Sequence, residues 1–130
     1  MYAQEFAQRY SHAQVTSITP KQLLLLMFDG GLRFLRQART ALAADDLRVF
    51  CESLSRAAAI VSELQATLDK RQGGDIAIQL DRLYDFMMVR LSEANATRSV
   101  RPLEDALRVL DTIADGYRAI IGGVPAVQAA

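Results

Sequence analysis

Residues 19–42 read TPKQLLLLMFDGGLRFLRQARTAL, a stretch that is too apolar for an ordinary surface helix. Thr19 can accept a hydrogen bond from a free backbone N–H of a first helical turn, and Pro20 fits at the first position, where no N–H is needed. Gln22, three residues after Thr19, completes a capping box. The stretch therefore predicts a helix that begins at Thr19.

Apolar side chains cover about half of the circumference of this predicted helix. Since successive residues turn by about 100°, one stripe faces a bundle core, and it contains Leu24, Phe28, Gly31, Leu35, Ala38 and Leu42. A second apolar row lies beside this stripe and contains Leu23, Met27, Gly30, Phe34 and Ala41. Leu25 and Leu32 lie on the other flank, and Leu26 is also off the core stripe. The apolar arc of roughly 200° exceeds the 100° or so of one core face. Either the helix is central and unusually buried, or the second row is a docking groove.

Composition and charge limit the classes of protein to consider. Apolar residues make up 51% of the 130 residues, and 15 basic and 15 acidic side chains give a net charge of zero. Nucleic acid is therefore not an expected partner, because phosphate binding needs a basic face. The longest apolar run, Leu23 to Phe28, is six residues, against about 18 for a membrane span. We expect a cytoplasmic protein without membrane insertion, because the N-terminus also lacks a signal-peptide core.

The N-terminal segment carries aromatic residues at helical spacing. Tyr2, Phe6 and Tyr10 are four residues apart, which gives one aromatic stripe if the segment is helical. Residues 11–18 mix β-branched and small polar side chains and are typical of an extended linker. Two interpretations of residues 1–18 stay open: a frayed terminus, or a short amphipathic arm that folds over the second row of the first helix.

Three further helices are predicted from apolar periodicity. The second, capped by Asp45 or Asp46 and ended by Gly73 or Gly74, has a core seam of Leu47, Phe50, Cys51, Leu54, Ala57, Ala58, Val61, Leu64 and Leu68. The third, capped by Asp75 and ended near Asn95, has the seam Ile76, Leu80, Leu83, Tyr84, Met87, Leu91 and Ala94. The fourth starts near Ser99 and has the seam Leu103, Leu107, Leu110, Ile113, Tyr117 and Ile120. We predict an all-α, antiparallel up-and-down four-helix bundle over residues 19–123, with a short N-terminal arm and a flexible tail over residues 124–130.

Residues that could carry chemistry are few. A bundle di-iron site needs two Glu-x-x-His pairs, whereas the chain has one histidine, His12, outside the predicted bundle. Cys51 lies on a seam and is interpreted as a small core hydrophobe. The carboxylate pairs Asp81/Asp85 and Asp111/Asp115 lie off the seams and are interpreted as solvated. We therefore expect no enzyme activity, no metal and no cofactor.

Several stretches, in order, resemble the FliS family of flagellin-specific export chaperones. They are Met1-Tyr2 with Tyr10, Thr19-Pro20 with the run from Leu23 to Phe34, Leu64 to Asp69, Leu83 to Met87, and Leu91 to Asn95. The resemblance extends from Met1 to about Ile121. Many members have Asn where this chain has Gln65, and Trp where it has Tyr117.

The resemblance implies a four-helix bundle that binds the C-terminal region of flagellin in the cytoplasm. Such a protein prevents premature polymerisation and helps deliver flagellin to the type III export gate. The N-terminal arm would occupy a groove that the client later takes. The expected partner-binding residues then come from the arm, from the second row and off-stripe flank of the first helix, and from the off-seam positions of the third helix. They are Tyr10, Leu23, Leu26, Met27, Gly30, Phe34, Phe86, Met88 and Val89.

An alternative is a structural or oligomerisation bundle without a flagellin client. Such a module predicts apolar residues confined to the seams, which Leu26, Phe86 and Val89 contradict. Whether the free protein forms a homodimer through its groove stays open.

Overall fold

A computed structural model describes Gln4 and residues 18–121 of the chain. The described bundle consists of α1 (Pro20–Ala43), α2 (Leu47–Ala66), α3 (Lys70–Thr97) and α4 (Val100–Ile121). Between residues 18 and 121 no strand occurs. The predicted fold class, an all-α four-helix bundle, is confirmed.

The start of α1 follows the predicted capping box. The Gln22 backbone N–H donates to Thr19 Oγ1 at 3.1 Å, and the Thr19 backbone N–H donates to Gln22 Oε1 at 3.0 Å. Asp46 caps α2, because its Oδ1 accepts from the backbone N–H of Val49 at 3.3 Å. Local hydrogen-bonding chemistry therefore fixes both starts where the sequence predicts them.

Ion pairs across the bundle give the direction of its helices. Asp29 pairs with Arg118 at 2.8 Å, and Arg36 pairs with Asp111 at 4.0 Å. Residue numbers thus rise along α1 while they fall along α4, so these two helices are antiparallel. The short links between consecutive helices make them antiparallel neighbours as well. Each helix packs on the next, and α4 closes the ring against α1.

The core lies where the four helices meet. Its largest fully buried side chains are Tyr84, Phe28, Phe50, Leu32, Leu35, Ile60, Leu64, Met87, Leu103, Leu110 and Val61. Gly31 allows α1 to approach its neighbours closely. A Cβ at this position would lie 3.0 Å from Leu110 Cδ2 and 3.4 Å from Ile60 Cγ2.

The second apolar row of α1 is largely part of this core. Met27, Phe34 and Ala41 are between 5 and 8% exposed and belong to the core cluster, and Gly30 is also buried. The expectation of an uncovered row is therefore wrong for these four residues. Leu23 and Leu26 of the same helix are only half-buried. Of the two interpretations of α1, the unusually buried central helix describes most of its length.

The predicted seam of α2 is wrong at Cys51, which is exposed. The buried face runs through Phe50, Leu54, Ala57, Val61 and Leu64, and it also includes Ser53 and Ile60, which were not predicted. Compared with the prediction, α2 is rotated about its axis, so that the side facing the core lies between the row that contains residue 50 and the row that contains residue 53. Cys51, turned by a further 100° from Phe50, therefore points away from the core.

The third helix begins earlier than predicted. Asp69, and not Asp75, caps α3, because its Oδ1 accepts from the backbone N–H groups of Arg71 at 3.1 Å and Gln72 at 3.2 Å. Gly74 has a positive φ, 58°, but it bends α3 internally and does not end the second helix, as the sequence had predicted for Gly73 or Gly74. The helix also extends past Asn95 to Thr97, where Arg98 takes a left-handed conformation with φ of 53°.

Three residues predicted on the seams of α3 and α4 are exposed. Ile76 is 70% exposed, Leu83 is 39% exposed and Ile120 is 69% exposed. The buried row of α3 instead runs through Ala77, Tyr84, Met87, Leu91 and Ala94. Ile76 and Leu83 each precede a buried residue of this row by one position, so they lie on its solvent-facing edge.

Candidate partner-binding surface

An open, mostly apolar groove lies at the end of the bundle where α1 begins. We call it the end groove. Its volume is about 510 Å³. It is lined by Pro20, Lys21, Leu23, Leu24, Met27, Thr67, Leu68, Asp69, Gly73, Ile76, Ala77, Leu80 and Tyr117. The first turns of α1, the α2–α3 link, the start of α3 and the last turns of α4 therefore all contribute to it.

Tyr117 joins the end groove to the core. Its ring centroid lies 5.0 Å from that of the fully buried Phe28, with the rings tilted by 37°. This separation is within the range of favourable aromatic pairs. Tyr117 thus connects the core to a groove lining that also includes the half-buried side chains of Leu23, Leu24 and Leu80.

The chemistry of the end groove suits an apolar segment of another chain. Three of its polar side chains, those of Lys21, Thr67 and Asp69, are exposed, whereas Met27 is 5% exposed. A concave apolar surface with few polar groups is the usual form of a binding groove for an amphipathic segment. Ile76, which is 70% exposed, adds a large apolar side chain that the described bundle leaves largely uncovered.

Further apolar side chains continue along α3. Leu83 is 39% exposed and Phe86 is 44% exposed, at seven and ten residues after Ile76, so the three lie along one side of the helix. We call these three the α3 row. Val89, which is 58% exposed, lies on a different side, together with Ile78. Exposed apolar residues clustered on one helix are typical of an interaction surface.

A polar network fixes α3 to α2 beside the end groove. Gln65 Nε2 donates to Asp81 Oδ1 at 2.9 Å and to Asp85 Oδ1 at 2.7 Å. Lys70 Nζ lies 3.1 Å from Asp81 Oδ2. The hydrogen bond from Gln65, followed by that from Lys70, holds the pKa of the Asp81 carboxyl below its ordinary value of 3.8. These two aspartates therefore link α3 to α2. The prediction from the sequence, that both are simply solvated, is corrected by these contacts.

A second, more polar groove of about 750 Å³ runs between α1 and α2. Phe34 lies in its wall, with the guanidinium carbon of Arg33 at 5.3 Å and that of Arg56 at 5.8 Å from the ring centroid. Both distances are within cation–π range. Phe34 is 8% exposed, so it is mainly a packing residue of α1.

The predicted partner-binding residues do not all lie at one place. The structure brings Leu23 and Met27 together in the end groove, and it buries Gly30 and Phe34 further along α1. Leu26 is half-buried and does not line the end groove. Tyr10, with the rest of the predicted arm, lies outside the described residues.

The remaining predicted residues lie on α3. Phe86 and Val89 are exposed as predicted, while Met88 is half-buried and packs against the core. Leu24, Ile76, Leu80 and Tyr117 also line the end groove, although sequence analysis assigned all four to core seams. Leu24, Ile76 and Tyr117 lie in the first or last two turns of their helices, where a seam leaves the core, and this position was the available signal; Leu80 carries no such signal.

The described residues contain no group of three or more His, Cys, Asp or Glu side chains that could hold a metal ion. None of the described helices combines the length and the hydropathy that crossing a bilayer requires.

Comparison with known proteins gives the family of the chain. A sequence model of the family "Flagellar protein FliS" matches residues 2–124. The chain belongs to the FliS family. It is 33% identical to the "Flagellar secretion chaperone FliSB" of Pseudomonas aeruginosa, over 92% of this chain and 98% of that protein.

Other FliS relatives are similarly close over most of their length. The chain is 36% identical to the "Flagellar secretion chaperone FliS" of Salmonella typhimurium, covering 88% of this chain and 86% of that protein. It is 29% identical to the protein of the same name from Bacillus subtilis, covering 86% of this chain and 83% of that protein. The FliS family is thus one of flagellar secretion chaperones, and its members are known as chaperones and not as enzymes.

Proposed function

We propose that this FliS-family protein binds the C-terminal region of flagellin in the cytoplasm. By doing so it prevents premature polymerisation and supports delivery of flagellin to the type III export apparatus, with the export gate as a partner of the complex. The observation that carries the proposal is the end groove, continued by the α3 row, in a chain of the FliS family.

The binding would combine a rigid site with a flexible client. Apolar segments of the client would place side chains on Leu23, Leu24 and Leu80 in the end groove and then follow the α3 row. Because the bundle is already folded, the client alone would lose conformational entropy on binding. This cost reduces the affinity for a given buried area, so the complex would stay reversible and the export apparatus could remove the client.

The first test is complex formation. Gel filtration of the protein with a peptide of the flagellin C-terminal region should give a one-to-one complex. Failure to form any complex would contradict the proposed function. A shift of the free protein to dimer size, with no effect of the peptide, would support the alternative of an oligomerisation module.

The second test places the client in the end groove. Ile76 is 70% exposed, so Ile76→Ser should change stability by less than about 0.5 kcal/mol. In a binding groove, however, the same change should weaken peptide binding more than about tenfold, as measured by calorimetric titration. Val100→Ser is the matched control, because Val100 is 43% exposed at the opposite end of the bundle. Equal losses in both variants would remove the end groove from the client site.

A further inference from the structure

The first turn of α3 folds back against the rest of its own helix. Asp69 caps this turn, and the Gly73 backbone N–H donates to the Asp69 carbonyl at 2.7 Å. Asp69 and Gly73 of this turn line the end groove, and Ile76 and Ala77 follow directly after the bend. The position of the turn therefore decides where one wall of the end groove lies.

The bend depends on a backbone conformation that favours glycine. Gly74 has φ of 58° and ψ of −134°, which are close to the first central position of a type II′ turn. No atom lies within 4 Å of the place where a Cβ would be, so no neighbouring group blocks a side chain there. The strain that alanine would meet at this position comes from the backbone conformation alone.

One ion pair spans the bend. Lys70 Nζ lies 3.1 Å from Asp81 Oδ2. In a straight helix, residues 11 positions apart are separated by about 16.5 Å along the axis, too far for these two side chains to meet. The Lys70–Asp81 contact therefore exists only while the first turn is folded back. Asp81 is held in turn by Gln65 of α2 at 2.9 Å.

The folded-back turn has little apolar anchorage. Residues 70–73 are all exposed, Ile76 is 70% exposed, and the first buried side chain of α3 is that of Ala77. Segments with few buried apolar contacts and exposed backbone hydrogen bonds open at low free energy cost. The ion pair and the conformation of Gly74 are thus the main determinants of where the turn lies.

We propose that the first turn of α3 is a hinged gate on the end groove, with Gly74 as its hinge and the Lys70–Asp81 pair as its latch. Folded back, the turn closes one side of the groove. Released, it lets the groove accept a longer apolar segment. Gly74 and Lys70 do not line the groove, so they act as positioning residues. The gate deepens the proposed function, because its use rests on the end groove receiving the client.

Amide hydrogen exchange of the free protein tests the gate without any client. Gly74→Ala should speed exchange of the amides from residue 71 to residue 77 by about fivefold or more, since it strains the folded-back conformation. Gly116→Ala is the matched control. Gly116 also has open space around a Cβ position, but it has no positive φ. Equal exchange in the two variants would overturn the hinge.

The latch is tested by a pair of substitutions at Lys70. Lys70→Met removes the charge and should speed exchange of the same amides by about two- to fivefold, the range expected for an exposed ion pair. Lys70→Arg keeps the charge and should restore the wild-type rate. An unchanged rate in Lys70→Met, or no rescue by arginine, would overturn the latch.

Stopped-flow association with a flagellin C-terminal peptide then connects the gate to the client. The association rate of Gly74→Ala should rise by the same factor as its exchange rate, because a larger fraction of molecules is open. Unchanged or slower association, in a variant with faster exchange, would overturn the role of the gate. If the wild-type protein does not bind the peptide, the proposed function fails, while the exchange experiments still decide on the hinge and latch.

Discussion

Asp81 shows how one side chain connects two helices through its charge. The hydrogen bond from Gln65 lowers the pKa of its carboxyl, so the folded state binds a proton at this site less readily than the unfolded chain. A lowered pKa gives a stabilisation that is complete above the unfolded value, about 3.9, and is lost as the pH falls through the folded value. The contribution of Asp81 is therefore complete above about pH 4 and is lost only as the pH falls below that value.

We expect Gln65→Ala to raise the pKa of Asp81 toward its ordinary value. NMR titration of the Asp81 side-chain carboxyl in wild type and variant measures this directly. Asp105 is a suitable internal reference, because its hydrogen bonds go to Arg90 and not to Gln65. An Asp81 pKa that is the same in both proteins would mean that Gln65 does not control this carboxyl.

A substitution at Leu26 can separate an effect on peptide binding from an effect on protein stability. It is half-buried and lies outside the core cluster and the lining of the end groove. We predict that Leu26→Gln changes stability by about 0.5 kcal/mol or less. If the client covers this flank of α1, peptide binding should still weaken by more than about tenfold in calorimetric titration.

Leu35→Ala is the control for Leu26→Gln. Leu35 is fully buried, so its truncation should cost about 2 to 5 kcal/mol in thermal or denaturant melts. Its effect on peptide binding should follow only from the loss of folded protein. Unchanged affinity in a well-folded Leu26→Gln variant would restrict the client to the end groove and the α3 row.

At the scale of single helices, the close crossing at Gly31 offers a sharp test of packing. A Cβ there would lie 3.0 Å from Leu110 Cδ2 and 3.4 Å from Ile60 Cγ2, so these two buried side chains would have to shift by a few tenths of an ångström. We predict that Gly31→Ala destabilises the protein by about 1 to 3 kcal/mol, the usual cost of overpacking. Denaturant melts provide the measurement.

The same substitution at Gly116 should have the opposite sign. Gly116 lies inside α4, and a Cβ there would meet no atom within 4 Å. Replacing a helical glycine by alanine in open space should stabilise the helix by about 0.5 to 1 kcal/mol. If both variants lost a similar amount of unfolding free energy, the loss would come from introducing alanine in general and not from a tight helix crossing at Gly31.

The helices differ in how much of their structure follows from local sequence. Thr19 and Gln22 define the start of α1 because both partners of the cap are three residues apart. Cys51 was misplaced because a rotation of α2 by a fraction of a turn exchanges it with Ser53, and that rotation is set by the neighbouring helices. Gly73 or Gly74 was predicted to end the second helix, but the place of Gly74 inside α3 depends on Asp69 taking the cap.

The same distinction applies to the candidate site. Leu23 was predicted because the apolar surplus of α1 is visible in the sequence itself. Sequence analysis did not predict Ile76, Leu80 and Tyr117 as site residues, because each has the spacing of a seam residue within its own helix. They form one groove only when the ends of three helices meet, and this arrangement is a property of the packed bundle.

For the whole molecule, the balance of apolar and charged surface predicts how binding should depend on conditions. Among the residues that the structure describes, Lys21 and Asp69 alone contribute charged side chains to the end groove. Screening by salt should therefore change the dissociation constant for the flagellin peptide by less than about threefold when ionic strength rises from about 0.05 to 0.5 M. Burial of the apolar groove should also give a negative heat-capacity change.

Calorimetric titration at several temperatures and two salt concentrations measures both quantities. A loss of affinity of more than about tenfold at high salt would point to a charged interface, as would a heat-capacity change near zero. In that case the groove beside Arg33 and Arg56 would be the better candidate for the client site.

The short links between successive helices also bear on how fast the chain can fold. Most helix contacts join neighbours in sequence, and only the packing of α4 on α1 connects the two ends of the bundle. Chains of such low contact order fold in microseconds to milliseconds. The entropy of loop closure is largest for the α1–α4 contact, so its formation is the natural rate-limiting event. Because Tyr117 of α4 lines the end groove together with Leu23 of α1, the groove would be complete only after this last contact has formed.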